Sequence, residues 1–166
     1  MPEEATRKRA AEDLREGKSP STAAGEFVRE EIEHVREGKH GARSPQQAIA
    51  IGLSKARRAG VPLKPPAKGK TAETTRKGAE RDYQKGQSGE ADAPSPRASR
   101  AREKVLQREP RTTASHRSLS AHARTASQKR SKGERHEAAM EAVHTKGKTG
   151  LRRAATKAAG TRTSGR

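Results

Sequence analysis

The sequence predicts an all-α protein: a small N-terminal domain of two to three helices, then a long, largely disordered basic tail with short helical segments. Three observations predict it. Apolar residues are scarce: 28% of the 166 residues are hydrophobic against 35% charged, and the aromatics are Phe27 and Tyr83 alone. Such a chain can offset the entropy of ordering only over a short stretch. The large apolar residues that exist gather between Pro20 and Leu63, at helical spacing. Finally, L-R-E-G-K-S-P at 14–20 returns as V-R-E-G-K-H-G-A-R-S-P at 35–45. Each copy ends a helix at a glycine and starts the next at Ser-Pro.

Residues 3–16 make the first helix, of good helix formers but with Leu14 as its one large apolar residue. Alone it would be marginal in water. The second helix runs from Pro20 to Glu37. Ala24, Phe27, Val28, Ile32 and Val35 line one face, and Glu26, Arg29, Glu30, Glu33 and Arg36 take the other. The third spans Ser44 to Gly60. Ser44 is the N-cap, Pro45 the first helical residue, Gln47 the capping-box partner, and Gly60 with Pro62 the stop. Its Ala48, Ile49, Ile51, Leu53 and Ala56 should pack on the Phe27 face, with Gly52 permitting close approach. Val61 and Leu63 would cover the open end. The core is thin, so dimerisation through leftover apolar surface, or ordering on a ligand, would support it.

The expected boundaries are 1–63 for the helical domain, 64–90 for a basic linker and single helix, and 91–166 for the tail. K-P-P-A-K-G-K at 64–70 is a stiff linker, 71–85 a helix carrying Tyr83, and 86–96 a flexible linker. The tail is Ala-, Ser-, Thr-, Lys- and Arg-rich, with helical potential at 97–108, 113–129, 133–145 and 150–159. Its Val105, Leu106, Leu119, Met140, Val143 and Leu151 are too sparse for a core, so helicity there should follow neutralisation by a polyanion.

Charge points to the partner. The chain carries a formal +18, unevenly spread. Residues 1–90 hold 19 Lys and Arg against 14 Asp and Glu, whereas residues 91–166 hold 19 against 6. A one-signed excess of this kind suits a polyanion. The tail lacks the large apolar face of a membrane-surface helix, and no apolar run approaches the roughly 20 residues of a span. Nucleic acid is therefore preferred to a membrane. Single-strand readers stack bases on aromatics; two aromatics, one expected in the core, leave contact with duplex phosphates.

The candidate phosphate contacts form clusters. In the helical domain they are Lys39, Arg43, Lys55, Arg57 and Arg58. In the tail they are Arg97, Arg100, Arg102 and Lys104, followed by Arg108 and Arg111; then Arg124, Lys129, Arg130 and Lys132, with Arg135; then Arg152, Arg153 and Lys157, with Arg162. Gln46 and Gln47 stand where a recognition helix would touch bases. The turn before them is longer than a helix-turn-helix link, however, and capping accounts for the pair.

Other chemistries are excluded on spacing. Gly69-Lys70-Thr71 and Gly147-Lys148-Thr149 lack the earlier glycine of a Walker A loop, having Lys64 and Ala142 in its place. The six histidines show no metal-ligand spacing, and there is no cysteine. No metal, no cofactor and no catalytic residues are expected. Neither a secretory signal nor an acid-poor transit peptide opens the chain, so a cytoplasmic protein is expected.

G-E-F-V-R-E-E-I at 25–32, R-E-G-K-H-G-A-R-S at 36–44, Q-A-I-A-I-G-L-S-K-A-R-R-A-G-V at 47–61 and A-E-R-D-Y-Q-K-G-Q-S-G at 79–89 resemble a family of small, basic, uncharacterised bacterial proteins. Its members are often labelled DNA-binding or likened to plasmid-stabilisation proteins. The resemblance implies a bacterial, cytoplasmic origin and favours the DNA reading, without a mechanism.

The expectation is thus a sequence-nonspecific, nucleoid-associated type of DNA-binding protein. Two alternatives stand beside it: an RNA- or ribosome-associated basic protein, and a disordered stress-protective protein whose front half binds a protein partner.

Overall fold

A computed structural model describes residues 2–89 and 96–163. Most of the expected flexible linker at 86–96 lies outside them. The described residues are all-helical: α1 (Glu4–Arg15), α2 (Pro20–Glu37), α3 (Pro45–Arg58), α4 (Glu73–Gln87), α5 (Pro96–Gln107), a 3-10 turn at Thr112–Ala114, α6 (His116–Lys129) and α7 (Lys132–Thr163). Helix α7 is broken at Gly147. The chain divides into two compact units, Met1–His122 and Ala123–Arg166, with the division inside α6.

The first three helices start and stop where local chemistry dictates. Ser19 Oγ accepts from Thr22 N, Pro20 opens α2, and Gly38 closes it in the left-handed region at φ 79°, a conformation glycine adopts without penalty. Ser44 Oγ accepts from Gln47 N at 3.2 Å, and Gln47 Oε1 accepts from Arg43 N at 2.7 Å. The capping box therefore closes one residue earlier than expected, and Gln47 is held by the backbone.

Helices α2 and α3 pack along a seam of small residues. Ala48, Gly52 and Ala56, four apart and on one stripe, are buried; Ile49, Ile51 and Leu53 are only half-buried. A Cβ on Gly52 would stand 2.6 Å from Val28 Cα and 3.0 Å from Phe27 O, so the seam is set by backbone contact. One cluster joins Ala10, Ala23, Ala24, Phe27, Ala56 and Val61, with Leu14, Leu53 and Leu63 packed on it. Helix α1 thereby gains from α2 the support it lacks alone. Helix α4 lies on α3 through Ala79, Asp82 and Gly86, with Asp82 reached by Ser54 Oγ and, at 3.4 Å, by Arg58 Nε.

A second cluster contains Val35, Ala42, Ala48 and Ala114, with Ile32 against it. Ala114 comes from the stretch expected to be tail. Gly41 N donates to Leu106 O at 2.9 Å and Ala42 N to Pro110 O at 3.1 Å. Thr113 Oγ1 donates to Ala42 O, and Arg36 Nε to Ala114 O, each at 2.9 Å. A Cβ on Gly41 would sit 1.8 Å from Glu109 O. The segment after α5 therefore closes over the α2–α3 turn, and the first compact unit runs to His122. Backbone hydrogen bonds and small residues make this junction, so counting large apolar residues missed it.

Candidate nucleic-acid interface

The structure separates two populations of basic side chain. In residues 2–89 many of the cations meet carboxylates. Lys8 pairs with Glu4, Arg9 with Glu26, Lys18 with Asp13 and Glu16, Arg29 with Glu26 and Glu33, and Arg76 with Glu73 and Glu80.

Three of the expected phosphate contacts, Lys39, Lys55 and Arg58, belong to this population, and a fourth, Arg57, is held by a backbone carbonyl. Lys55 reaches into the α2–α3 seam, its Nζ 2.6 Å from Glu31 Oε2 and 3.6 Å from Glu30 Oε1. Both carboxylates are buried, so the placement of Glu30 on the polar face of α2 is corrected: the seam is narrow, and the next two positions turn inward as a charged layer. Arg57 is buried under the chain's return, and its Nε donates to Leu63 O at 3.1 Å. Burial lowers its pKa from the ordinary arginine value, with Asp82 acting in the opposite sense. Arg58 bonds Ser54 and pairs with Asp82. Lys39 pairs with Glu37 at 3.1 Å and Glu3 at 3.4 Å, and these partners raise its pKa. Lys55, Arg57 and Arg58 are therefore fold-forming groups. A cation in the last turn of a helix suits the dipole whether it points outward or inward, so its position in the sequence does not tell the two apart. Arg43 alone of the five is exposed with only its backbone engaged.

The second population is solvent-facing. Arg97, Arg100, Arg102 and Lys104 on α5 are exposed, as are Arg108, Arg111 and Arg117. In the second unit Arg124, Lys129, Arg130, Lys132, Arg135, Arg152 and Arg153 are exposed. The Lys157 side chain lies outside those described, as does that of Arg162. On α5, Arg97, Arg100 and Lys104 share one face while Arg102 takes the opposite one. Helices α6 and α7 start at conventional caps. Ser115 Oγ accepts from Ser118 N before α6. Ser131 and Glu134 make a reciprocal capping box before α7, Glu134 N donating to Ser131 Oγ at 3.1 Å and Ser131 N to Glu134 Oε2 at 2.8 Å. The sequence reading missed this S-x-x-E signal at 131–134.

Sequence reasoning also missed the polar layer between α2 and the α2–α3 turn. Glu31, His34 and His40 bring one ligand-capable atom each within 4.8 Å of one another. The signal was present as a Glu and a His three apart on one helix, with a second His just beyond the helix stop. Among the described residues no helix is long and apolar enough to cross a membrane.

Comparison with protein-family models, with curated proteins and with solved structures finds no significant match.

Proposed function

We propose that this chain binds duplex nucleic acid, DNA foremost, through its phosphates and without sequence preference, as a nucleoid-associated type of protein. The observation that carries the reading is the contrast in cation placement. In residues 2–89, Lys8, Arg9, Lys18, Arg29, Lys39, Lys55, Arg58 and Arg76 pair with carboxylates, whereas the described Lys and Arg side chains of α5 to α7 are presented to solvent in three groups. An exposed, one-signed array of Lys and Arg on helices binds by releasing counterions from the phosphate backbone. The scarcity of aromatics argues against base stacking. Phosphate also relieves like-charge repulsion along α6 and α7, so added duplex stabilises the helices of the second unit.

The test is the salt dependence of binding to a mixed-sequence duplex, using the full chain. With six or more phosphate contacts, affinity falls by roughly 10³ or more between about 50 and 200 mM salt. Replacing Arg124, Lys129, Arg130, Lys132, Arg152 and Arg153 together by Gln lowers the slope of log K against log salt by about 5. A flat salt profile, or a slope indifferent to those six residues, would sink the proposal. Preferential competition by structured RNA would redirect it to RNA.

A further inference from the structure

The His-Glu layer beside the α2–α3 turn has the donor set and the supporting bonds of a metal site. Glu31 is 1% exposed, and neither of its carboxylate oxygens has a hydrogen-bond partner. Lys55 meets Oε2 as an ion pair, and His40 Nε2 faces Oε1 at 3.1 Å. On its other side, His40 Nδ1 is 3.0 Å from Gly41 O. A carbonyl can only accept, so Nδ1 carries the proton. Nε2 is then left as the acceptor nitrogen, 3.1 Å from a carboxylate oxygen with no hydrogen bond joining the two, so both atoms are open to a shared positive centre. A backbone carbonyl that fixes one imidazole nitrogen and directs the other is the usual outer support of a ligating histidine.

The third donor is His34, one turn beyond Glu31 on the same face of α2, its ring edge-on to that of His40 with centroids 6.1 Å apart. The three donor atoms lie within 4.8 Å of one another. Two ligands at about 2.0–2.1 Å from a tetrahedral zinc stand about 3.3 Å apart, close to the His40–Glu31 spacing. Lys55 keeps Glu31 Oε2 occupied and leaves Oε1 to act as a single-oxygen ligand.

We propose that Glu31, His34 and His40 form a binding site for a divalent cation of the zinc class. Two imidazoles and one carboxylate, without sulfur, suit Zn²⁺ and its surrogate Co²⁺; Ca²⁺ and Mg²⁺ call for more oxygens. The fourth position falls to water, and the Glu3 carboxylate, whose Oε1 is 3.2 Å from His34 Nε2, holds His34 from outside. Glu3 N also donates to Glu30 Oε2 at 3.1 Å. A bound ion thus ties α2 to the α2–α3 turn beside the start of α1. It acts as a staple in a domain whose seam is alanine and glycine, and its binding free energy adds to folding.

The experiment takes the full chain, stripped with chelator, and titrates it with CoCl₂ and ZnCl₂ without nucleic acid, so its result is independent of the phosphate-binding proposal. One equivalent of Co²⁺ develops the visible absorption of a low-coordinate site, Zn²⁺ displaces it, and Zn²⁺ raises the melting temperature. His34→Gln and His40→Gln each weaken binding at least about tenfold, whereas H136Q with H144Q leaves it unchanged. Far-UV circular dichroism in chelator reports whether the variants fold. Should they not, imidazole NMR of the unaltered chain decides: Zn²⁺ shifts the His34 and His40 ring signals first. Absence of a saturable equivalent, an unchanged titration in folded H34Q and H40Q, or shifts confined to the other four histidines would overturn the site.

Discussion

Lys55 and Lys132 carry the same charge on helices of the same chain and serve opposite ends. Lys55 is folded into the α2–α3 seam against two buried carboxylates, while Lys132 begins α7 with its side chain in solvent. The same contrast holds between the N-terminal helices and the helices beyond residue 96. A formal charge of +18 therefore overstates the electrostatic surface of the first helices. A cation contributes to long-range attraction only where no carboxylate already neutralises it.

The largest effect that sharpens this contrast comes from exchanging the two lysines one at a time for methionine. Removing Lys55 leaves Glu30 and Glu31 buried without their ammonium partner. Loss of one member of a buried pair costs about 3–5 kcal/mol, and the lower end applies because the Lys55 side chain retains some solvent access, at 21%. Urea denaturation should show this loss, with duplex affinity per folded molecule unchanged. Lys132→Met should leave the urea midpoint within about 0.5 kcal/mol and reduce the salt slope by about 0.9. If the K55M loss appeared in duplex affinity and not in stability, the division of the cations would be broken.

Smaller in effect is the seam itself. Gly52→Ala adds a methyl against Val28 Cα and Phe27 O, backbone atoms that cannot swing aside. Overpacking of this kind costs about 1–3 kcal/mol, partly offset by the roughly 1 kcal/mol that alanine gains over glycine in a helix. Gly78→Ala on α4 has open space around its Cβ and should be neutral or stabilising. A G52A chain as stable as G78A would mean that α2 and α3 do not approach as closely as described.

The helices were legible in the sequence to a degree the contacts between them were not. Ser19-Pro20, Gly38 and Ser44-Pro45 fixed the bounds of α2 and α3, because caps are local chemistry. Phe27 and Val35 were legible as core from their spacing. Glu30 and Glu31 were not, since a charged residue next to an apolar stripe reads as its polar border unless the partner, here Lys55, is known to reach it. The docking of Leu106 to Ala114 was illegible for a different reason. It depends on backbone hydrogen bonds to Gly41 and Ala42 and on one buried alanine, features that leave no periodic trace. The exposed cations of α5 to α7 were legible as a charge excess; their separation from the paired cations was a fact of tertiary structure.

The smallest effect concerns the start of α1, where the N-terminal helices use charge to hold themselves together. The Glu3 carboxylate accepts from His34 and, at longer range, from Lys39, and these contacts lower its pKa below the ordinary value of 4.5, His34 first. A carboxyl whose folded pKa is depressed contributes stability above its unfolded pKa and loses it as the pH falls through the folded value. The anchoring of α1 should therefore be complete above about pH 4.5 and weaken below it. Glu3 is solvent-accessible, so the change is local rather than global. Hydrogen exchange at the Arg7 amide, which donates to Glu3 O at 3.2 Å, should accelerate in acid beyond the intrinsic rate in the unaltered chain. Glu3→Gln removes the titrating group while keeping Glu30 in place to receive the residue 3 amide. The difference between the two chains isolates the Glu3 contribution from that of the neighbouring carboxylates. Equal acid sensitivity in both would show that α1 is held by Arg9–Glu26 and the Ala10 contact alone.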